Sequence, residues 1–234
     1  MDGAQTKARA VSLLGVGLYT AADASALIGV PTSKVRRWLL GYEHSKSEAS
    51  GKSDPLWTSQ LPRLGREVEL GFRDLMEMRC VAALLVEGIS LQAIRKAILK
   101  GREITGDDYP LSSARFKTDG RTVFLQVSRE LDEPALFDLL RNQWTFHRVI
   151  EPSFRDVDFD GDNPGQWWPM TRRSKVLIDP RRNFGRPIEA NYGVPTRAIV
   201  DAVNAEGSET KAARIFDLPL RSVRDAVAFE RRTA

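Results

Sequence analysis

The sequence predicts a mainly α fold: a winged helix-turn-helix, small β-hairpins and a carboxy-terminal three-helix domain of helix-turn-helix type. Two short helical patterns meet across Gly29-Val30-Pro31 near the amino terminus. Three more lie after Pro195 and are separated by Gly207 and by Asp217-Leu218-Pro219. Between these ends, helical and extended patterns follow one another in short segments. We therefore expect three parts, over residues 1–110, 111–175 and 176–234.

Capping residues and apolar spacing predict the first helix pair. Thr20 and Asp23 form a capping box ahead of a helix over 21–28. Thr32 is the predicted cap of a second helix over 33–40. The apolar residues of that helix share one face: Val35, Trp38 and Leu39. Its opposite face is basic and polar, with Ser33, Lys34, Arg36 and Arg37.

This basic face favours duplex DNA, because the major groove admits one helix and arginine or lysine donors reach guanine edges and phosphates there. The polar stretch over 43–64 is a long loop or a wing. The alternative is an ordinary helical hairpin with a solvated basic face. The candidate DNA-binding residues are Thr20, Thr32, Ser33, Lys34, Arg36, Arg37, Lys46 and Lys52.

The middle of the chain predicts helices interrupted by hairpins. One helix runs from Phe72 to Gly88, and Ser90 caps the next, which contains Leu91, Ile94 and Ile98. A hairpin is predicted over 114–125, turning at Asp119-Gly120. Asp132 and Pro134 open a helix with apolar positions at Leu136, Phe137, Leu139, Leu140 and Trp144. A strand pair over 155–178 turns at Asp160-Gly161 and returns through 176–178. Core packing is the preferred interpretation of Trp144, Trp167 and Trp168.

Composition excludes several classes of function. Net charge is +4, and the excess lies at the ends: nine Lys/Arg face five Asp/Glu over 1–66, and ten face eight over 179–234. A single cysteine, Cys80, excludes an intramolecular disulfide and a multi-cysteine zinc site. We expect an inert, buried thiol. No catalytic or phosphate-binding constellation stands at useful spacing, so we expect no enzyme, no cofactor and no metal. The chain has no membrane-length apolar run and no signal peptide, which favours a cytoplasmic protein.

One acidic run imitates a calcium loop. Asp156, Asp158, Asp160 and Asp162 alternate as in its first half. Pro164 and Trp167 then occupy positions that should supply ligands. We therefore expect these carboxylates on the exposed side of a strand and turn.

The turn of the first helix pair recurs near the carboxy terminus. Val30-Pro31 and Val35-Arg36 are matched at constant offset by Leu218-Pro219 and Val223-Arg224, and Ile28 is matched by Phe216. Because Asp217 and Asp225 flank the second copy, a purely structural repeat is the preferred interpretation there.

The amino-terminal half resembles the MerR-type winged helix-turn-helix regulators. The resemblance lies in the run YTAADASALIGVPTSKVRRW from Tyr19 to Trp38, in Phe72-Arg73-Asp74-Leu75 and in GISLQAIR from Gly88 to Arg95. It implies an arginine-rich recognition helix. The wing is longer than in that family, and the predicted hairpin at Asp119-Gly120 replaces the long dimerisation helix.

The carboxy-terminal part resembles domain of unknown function family 433, found in VapB-type antitoxins. The matching segments are Ile178-Asp179-Pro180, Phe184-Gly185-Arg186-Pro187, Val194-Pro195-Thr196-Arg197, Glu206-Gly207-Ser208 and VRDAVAFE from Val223 to Glu230. The resemblance implies a type II antitoxin that represses its own operator and neutralises a PIN-like ribonuclease toxin. Cations available for pairing with toxin carboxylates are Arg181, Arg182, Arg186, Arg197, Arg231 and Arg232.

Two other functions remain open at this point. One is a stand-alone MerR-like transcriptional regulator that answers a small molecule, and the other is a protein–protein adaptor. We also expect a homodimer, because one helix-turn-helix reads few base pairs and natural operators usually match a two-fold protein.

Overall fold

The computed structural model describes residues 14–46, 49–62, 67–131, 133–141 and 143–233. Its helices are α1 Ala21–Ile28, α2 Thr32–Leu40, α3 Phe72–Val86, α4 Leu91–Thr105, α5 Phe116–Ser128, α6 Pro134–Leu140, α7 Gln143–Phe154, α8 Thr196–Glu206, α9 Glu209–Ile215 and α10 Leu220–Thr233. Its strands are β1 Tyr19–Thr20, β2 Tyr42–Lys46, β3 Ala49–Ser53, β4 Glu69–Leu70, β5 Val157–Asp160, β6 Asn163–Trp167, β7 Val176–Leu177 and β8 Ile188–Glu189. The predicted mainly helical fold with small hairpins is confirmed.

The first helix pair forms as its capping residues predict. The Thr20 hydroxyl accepts a hydrogen bond from the Asp23 amide, and the Asp23 carboxylate accepts one from the Thr20 amide. Gly29 then ends α1 with φ of 70°, a left-handed conformation in which glycine has no Cβ clash. The predicted cap of α2 is wrong. Pro31 occupies the cap position, no side chain caps this helix, and Thr32 is its first residue, because proline already presets the backbone at the helix start.

A two-stranded wing follows α2 directly. Strands β2 and β3 pair antiparallel, from Tyr42 opposite Ser53 to Lys46 opposite Ala49. Gly41 makes the join possible, since a Cβ at this position would collide with the carbonyl oxygen of Ser53. After the wing, the Leu56 amide donates to the carbonyl of Trp38 at 2.8 Å and brings the chain back to α2. The predicted wing is therefore a regular hairpin.

One apolar core extends from the helix-turn-helix into the middle of the chain. It includes Tyr19 at one end and Ile178 at the other, so the parts expected over 1–110 and 111–175 share it. Helix α3 lies inside this core, with Leu75, Val81 and Leu84 fully buried. Among the residues that the structure describes, no helix is long and apolar enough to cross a membrane.

The predicted hairpin at Asp119-Gly120 is wrong, because these residues lie inside helix α5. Phe116, Gly120, Val123, Phe124 and Val127 recur at helical spacing and are buried. A Cβ on Gly120 would come within 3.0 Å of the neighbouring phenylalanine rings. Here glycine makes room for an aromatic cluster, and burial of that cluster overrides the local turn preference.

The middle aromatic residues divide between core and surface. Trp167 is buried, and Trp168 is partly buried with its indole N–H donating to Asp158 at 2.8 Å. The core interpretation is wrong for Trp144, which is 69% exposed, and Phe137 is 51% exposed. Helix α6 ends at Leu140, so Trp144 belongs to the following helix, α7, and does not continue the apolar face of α6.

The strands predicted over 155–178 do not all pair as expected. Strand β5 pairs antiparallel with β6, closing a tight hairpin between Asp160 and Asn163. The predicted return strand is wrong, since β7 pairs with β8. Ile178 still forms a bridge with Trp167, which joins the two small sheets.

The carboxy-terminal three-helix arrangement is confirmed. Helices α8, α9 and α10 surround a separate apolar cluster that includes Ile199, Leu218 and Val223. Buried Glu189 holds the segment before α8, residues 179–195, against α10, since it accepts hydrogen bonds from the Ser222 hydroxyl and from the Asn191 and Tyr192 amides. At the other end of this segment, the Tyr19 hydroxyl donates to the Gly185 carbonyl at 2.9 Å.

Candidate nucleic-acid interface

The exposed face of α2 is the candidate DNA-reading surface. Val35, Trp38 and Leu39 are buried, as the apolar spacing predicts. The remaining side chains of this helix stand outward and include Ser33, Lys34, Arg36 and Arg37. Three cations and a hydroxyl therefore lie on one side of a helix whose opposite side is anchored in the core, which is the arrangement a major-groove helix needs.

Arg37 is positioned by the first residue of the wing. Its guanidinium carbon lies 3.9 Å from the centroid of the Tyr42 ring, within cation–π range. Hydrogen bonds with Ser53 and Arg37 lower the pKa of Tyr42 below its usual value. Helix α2 and the wing thus meet at one oriented cation, which reduces the entropy lost when that side chain binds a ligand.

The other candidate DNA-binding residues have different surroundings. The Thr20 hydroxyl is engaged by Asp23, donating at 2.8 Å and accepting at 3.1 Å, so its first role is capping. Thr32 is partly exposed at the start of α2, and its hydroxyl makes no cap bond. The backbone of Lys46 and Lys52 lies in the wing strands. The side chains of these two lysines lie outside the described part of the chain.

A buried carboxylate in α3, which sequence reasoning missed, holds the chain that follows the wing. Asp74 is fully buried in α3 and accepts hydrogen bonds from the Trp57 indole, the Ser59 hydroxyl, and the Gln60 and Gly71 amides. Trp57, Ser59 and Gln60 lie on the irregular chain that returns from the wing, and Gly71 is the cap position of α3. Burial raises the pKa of Asp74, against the opposing effect of these hydrogen bonds. Its presence at the third position of α3 resembles an ordinary capping acid, so its wider role was not visible in the sequence.

Glu77, one turn further along α3, holds the middle of the chain in the same way. Its two carboxylate oxygens accept from the Leu111 amide at 3.1 Å and from the Ser112 amide at 2.8 Å. Complete burial raises the pKa of Glu77 to about 7. Because an unpaired buried carboxylate is costly, these two amides fix the single turn at Pro110–Ser112 against α3.

The amino-terminal part of the chain matches a known family model. Residues 17–98 match a family model described as "Putative DNA-binding HTH domain". The matched segment contains α1, α2, the wing, α3 and the first half of α4. The chain therefore has a DNA-binding helix-turn-helix domain.

Two comparisons extend the likeness to nearly the whole chain. A protein of Mycobacterium tuberculosis (strain ATCC 25618 / H37Rv) named "Putative antitoxin VapB45" is 25% identical over 223 residues, 91% of this chain and 93% of the relative. The crystal structure of Rv2018 from Mycobacterium tuberculosis has a TM-score of 0.69 and 21% identity, covering 92% of this chain and 99% of that one. The second likeness shows the fold, and the first supports an antitoxin or a DNA-binding regulator.

The carboxy-terminal arginines have no common partner. Arg181 pairs with Asp179 at 3.4 Å, Arg182 donates to the Ala190 carbonyl at 2.9 Å, and Arg232 donates to the Pro169 carbonyl at 2.6 Å. Arg231 is exposed near the end of α10. Arg186 and Arg197 line one groove of about 420 Å³, which lies between α1 and the carboxy-terminal helices.

Asp158 of the acidic run has local partners, and the single cysteine is buried. Asp158 pairs with Arg172 at 2.7 Å, and this bond together with the Trp168 indole lowers the pKa of Asp158 despite partial burial. Within the described ranges, no group of three or more His, Cys, Asp or Glu could hold a metal ion. Cys80 is buried as predicted, and burial raises the pKa of its thiol, which disfavours the reactive thiolate.

Proposed function

We propose that this chain is a non-enzymatic antitoxin of a type II toxin–antitoxin system. It binds its own operator through α2 and neutralises a PIN-like ribonuclease toxin through its carboxy-terminal part. The observation that supports DNA binding most directly is the outward basic face of α2 beside the wing. The antitoxin role rests on the relative named as an antitoxin and on the matching motifs after Ile178.

The face of α2 suits sequence-specific binding. Arg36 and Arg37 are exposed and each presents a planar fork of donors, which can contact a guanine edge through two hydrogen bonds. Losing one such contact costs about 1 to 3 kcal/mol, equivalent to roughly fivefold to 150-fold in affinity. Lys34 and Ser33 are placed for phosphate contacts, which position the helix without reading sequence.

A binding experiment with the full chain tests the DNA-binding half of the proposal. The probe is a labelled duplex taken from the region upstream of the chain's own coding sequence. Arg36→Ala plus Arg37→Ala should weaken binding at least tenfold and reduce the preference over a scrambled duplex of the same length. A control with the same charge change is Lys100→Ala plus Arg129→Ala, on α4 and just after α5, which should bind as the unchanged protein does. Unaltered affinity in the Arg36/Arg37 variant would show that α2 is not the recognition helix.

The toxin-binding half requires full-length variants. Cutting the chain near Glu151 would divide the larger apolar core and expose it to water, because Trp167 and Ile178 belong to that core. We therefore propose Arg186→Ala plus Arg197→Ala, since these two arginines share the groove beside α1. Co-expressed with the neighbouring candidate toxin, this variant should no longer rescue growth, whereas Arg36→Ala plus Arg37→Ala should still rescue it. The reverse pattern would contradict the division of labour.

The runner-up function, a stand-alone MerR-like regulator, predicts another outcome. Such a protein would bind the upstream duplex, would leave toxin-arrested growth unchanged, and would change its DNA affinity with a small molecule. We also propose that the chain binds DNA as a homodimer. Light scattering of the complex tests this directly, and a one-chain mass on a two-fold operator would contradict it.

A further inference from the structure

The carboxy-terminal helices α9 and α10 repeat the construction of α1 and α2. Each pair starts with a hydroxyl cap, in which Thr20 accepts from the Asp23 amide and Ser208 accepts from the Lys211 amide. Ser208 follows Thr20, and Lys211 follows Asp23, by the same number of residues. The first helix of each pair therefore begins in the same way.

The two turns also adopt the same backbone conformation. Gly29 has φ of 70°, and the corresponding Asp217 has φ of 51°. A left-handed conformation at a non-glycine residue is uncommon, though aspartate adopts it more readily than most residues. Pro31 and Pro219 follow at matching positions, and their carbonyls accept from the third and fourth residues that come after them. The repeat noticed in the sequence is therefore a repeat of three-dimensional structure.

Burial selects the same face in both pairs. The corresponding buried pairs are Ala24 and Ala212, Val30 and Leu218, Val35 and Val223, Trp38 and Ala226, and Leu39 and Val227. Consequently the exposed positions correspond as well. Arg221 occupies the position of Ser33, and Arg224 occupies the position of Arg36. Their side chains are 70% and 64% exposed.

The exposed face of α10 carries two arginines, each with an acidic partner at its edge. Exposed cations stand on α10 and on its neighbours, at Arg173, Arg214, Arg221 and Arg224. Asp225 is partly buried, accepts from the Lys175 amide and lies 4.0 Å from the Arg221 guanidinium. Glu209 pairs with Arg224 at 3.0 Å, but such an exposed pair contributes at most about 1 kcal/mol and a phosphate can replace the carboxylate. Asp217, in the turn, is exposed as well.

We propose that the amino-terminal half of α10, with Arg173 and Arg214 beside it, is a second duplex-DNA contact that binds phosphates. It goes beyond the proposed role of α2. Two positions that supply cations in α2 do not do so here: Lys34 corresponds to Ser222, which is buried against Glu189, and Arg37 corresponds to Asp225. This face therefore has fewer donors for base edges and anchors the duplex backbone.

The second DNA contact is separate from the proposed toxin groove. Glu230 and Thr233 line that groove. They follow Arg221 and Arg224 by nine residues each, about two and a half helical turns, so they lie on the opposite side of α10. One helix can thus contribute to both surfaces without overlap.

Salt dependence distinguishes this contact from the one made by α2. The full-length chain is titrated against the upstream duplex and against a scrambled duplex of equal length, at several salt concentrations. Arg221→Ala plus Arg224→Ala should weaken binding to both duplexes by a similar factor. It should also make the slope of log affinity against log salt less steep by about two, since each phosphate contact contributes about 0.9. Arg36→Ala plus Arg37→Ala should instead reduce the preference for the upstream duplex.

Several results would overturn the second contact. Unchanged affinity and slope in the Arg221/Arg224 variant would do so, whatever the α2 variant shows. Loss confined to the upstream duplex would assign base reading to α10 and refute the phosphate assignment. Unchanged DNA binding together with lost toxin capture would make this face a protein contact. If thermal melting shows that the double variant is unfolded, Arg173→Ala plus Arg214→Ala tests the same face. The Lys100/Arg129 variant is the control for charge in every series.

Discussion

Glu77→Gln should change how the stability of this protein depends on pH. The carboxyl is fully buried, and its pKa is raised from 4.5 to about 7. An acid whose pKa is higher in the folded state binds its proton more tightly there. Its contribution to stability is therefore complete below pH 4.5 and is lost as pH rises through about 7.

The size of the effect follows from the shift in pKa. At 1.36 kcal/mol per pKa unit, the full loss is about 3 kcal/mol. Glutamine cannot titrate, so the variant lacks this loss. It has a cost of its own, because one of the two amides that donate to Glu77 loses an acceptor, about 1 to 3 kcal/mol. That cost is independent of pH and cancels when the same variant is compared at two pH values.

Urea unfolding at pH 5 and at pH 8 measures the difference. The stability of Glu77→Gln relative to the unchanged protein should rise by about 2 kcal/mol or more between these pH values. Equal urea m-values for both proteins would establish that the same surface unfolds in each. A relative stability that stays constant across this range would refute the argument, and a decrease would show that the buried carboxylate is stabilised as an anion.

Three further substitutions test the framework of the interface. Trp57→Phe removes the indole donor to buried Asp74 and should lower the free energy of unfolding by about 1 to 3 kcal/mol, measured by urea unfolding; an unchanged value would contradict this role of the bond. Gly101→Ala places a Cβ 2.7 Å from Pro110 and should cost about 1 to 3 kcal/mol, whereas an unchanged melting temperature would show that the contact relaxes freely. Thr20→Ala removes the cap of α1 and should cost about 1 kcal/mol in thermal unfolding, while Thr20→Ser should retain most of it; equal losses in both would contradict capping.

In the middle of the chain, local turn preference predicts a hairpin where the protein forms a helix. Asp119-Gly120 is a favoured hairpin pair, yet it lies inside α5, where Gly120 faces the rings of Phe116 and Phe146. The preference of two residues for a turn is worth less than the burial of an aromatic cluster. The same limit applies to Trp144. The apolar residues before it predict one continuous helix face, but α6 ends at Leu140 and Trp144 lies in the next helix.

The sequence by itself determined the helix pairs at both ends, because their signals are local. Capping hydroxyls, a turn before proline and apolar residues at helical spacing act within a few residues of one another, so α1, α2 and α8 to α10 were predicted closely. Only the tertiary structure decided which distant segments meet. Asp74 and Glu77 hold irregular chain far along the sequence, and their hydrogen bonds depend on where the whole core places those amides. The sequence matches Arg224 with Arg36, but their shared exposure required the fold, since burial of the opposite faces is what turns both arginines outward.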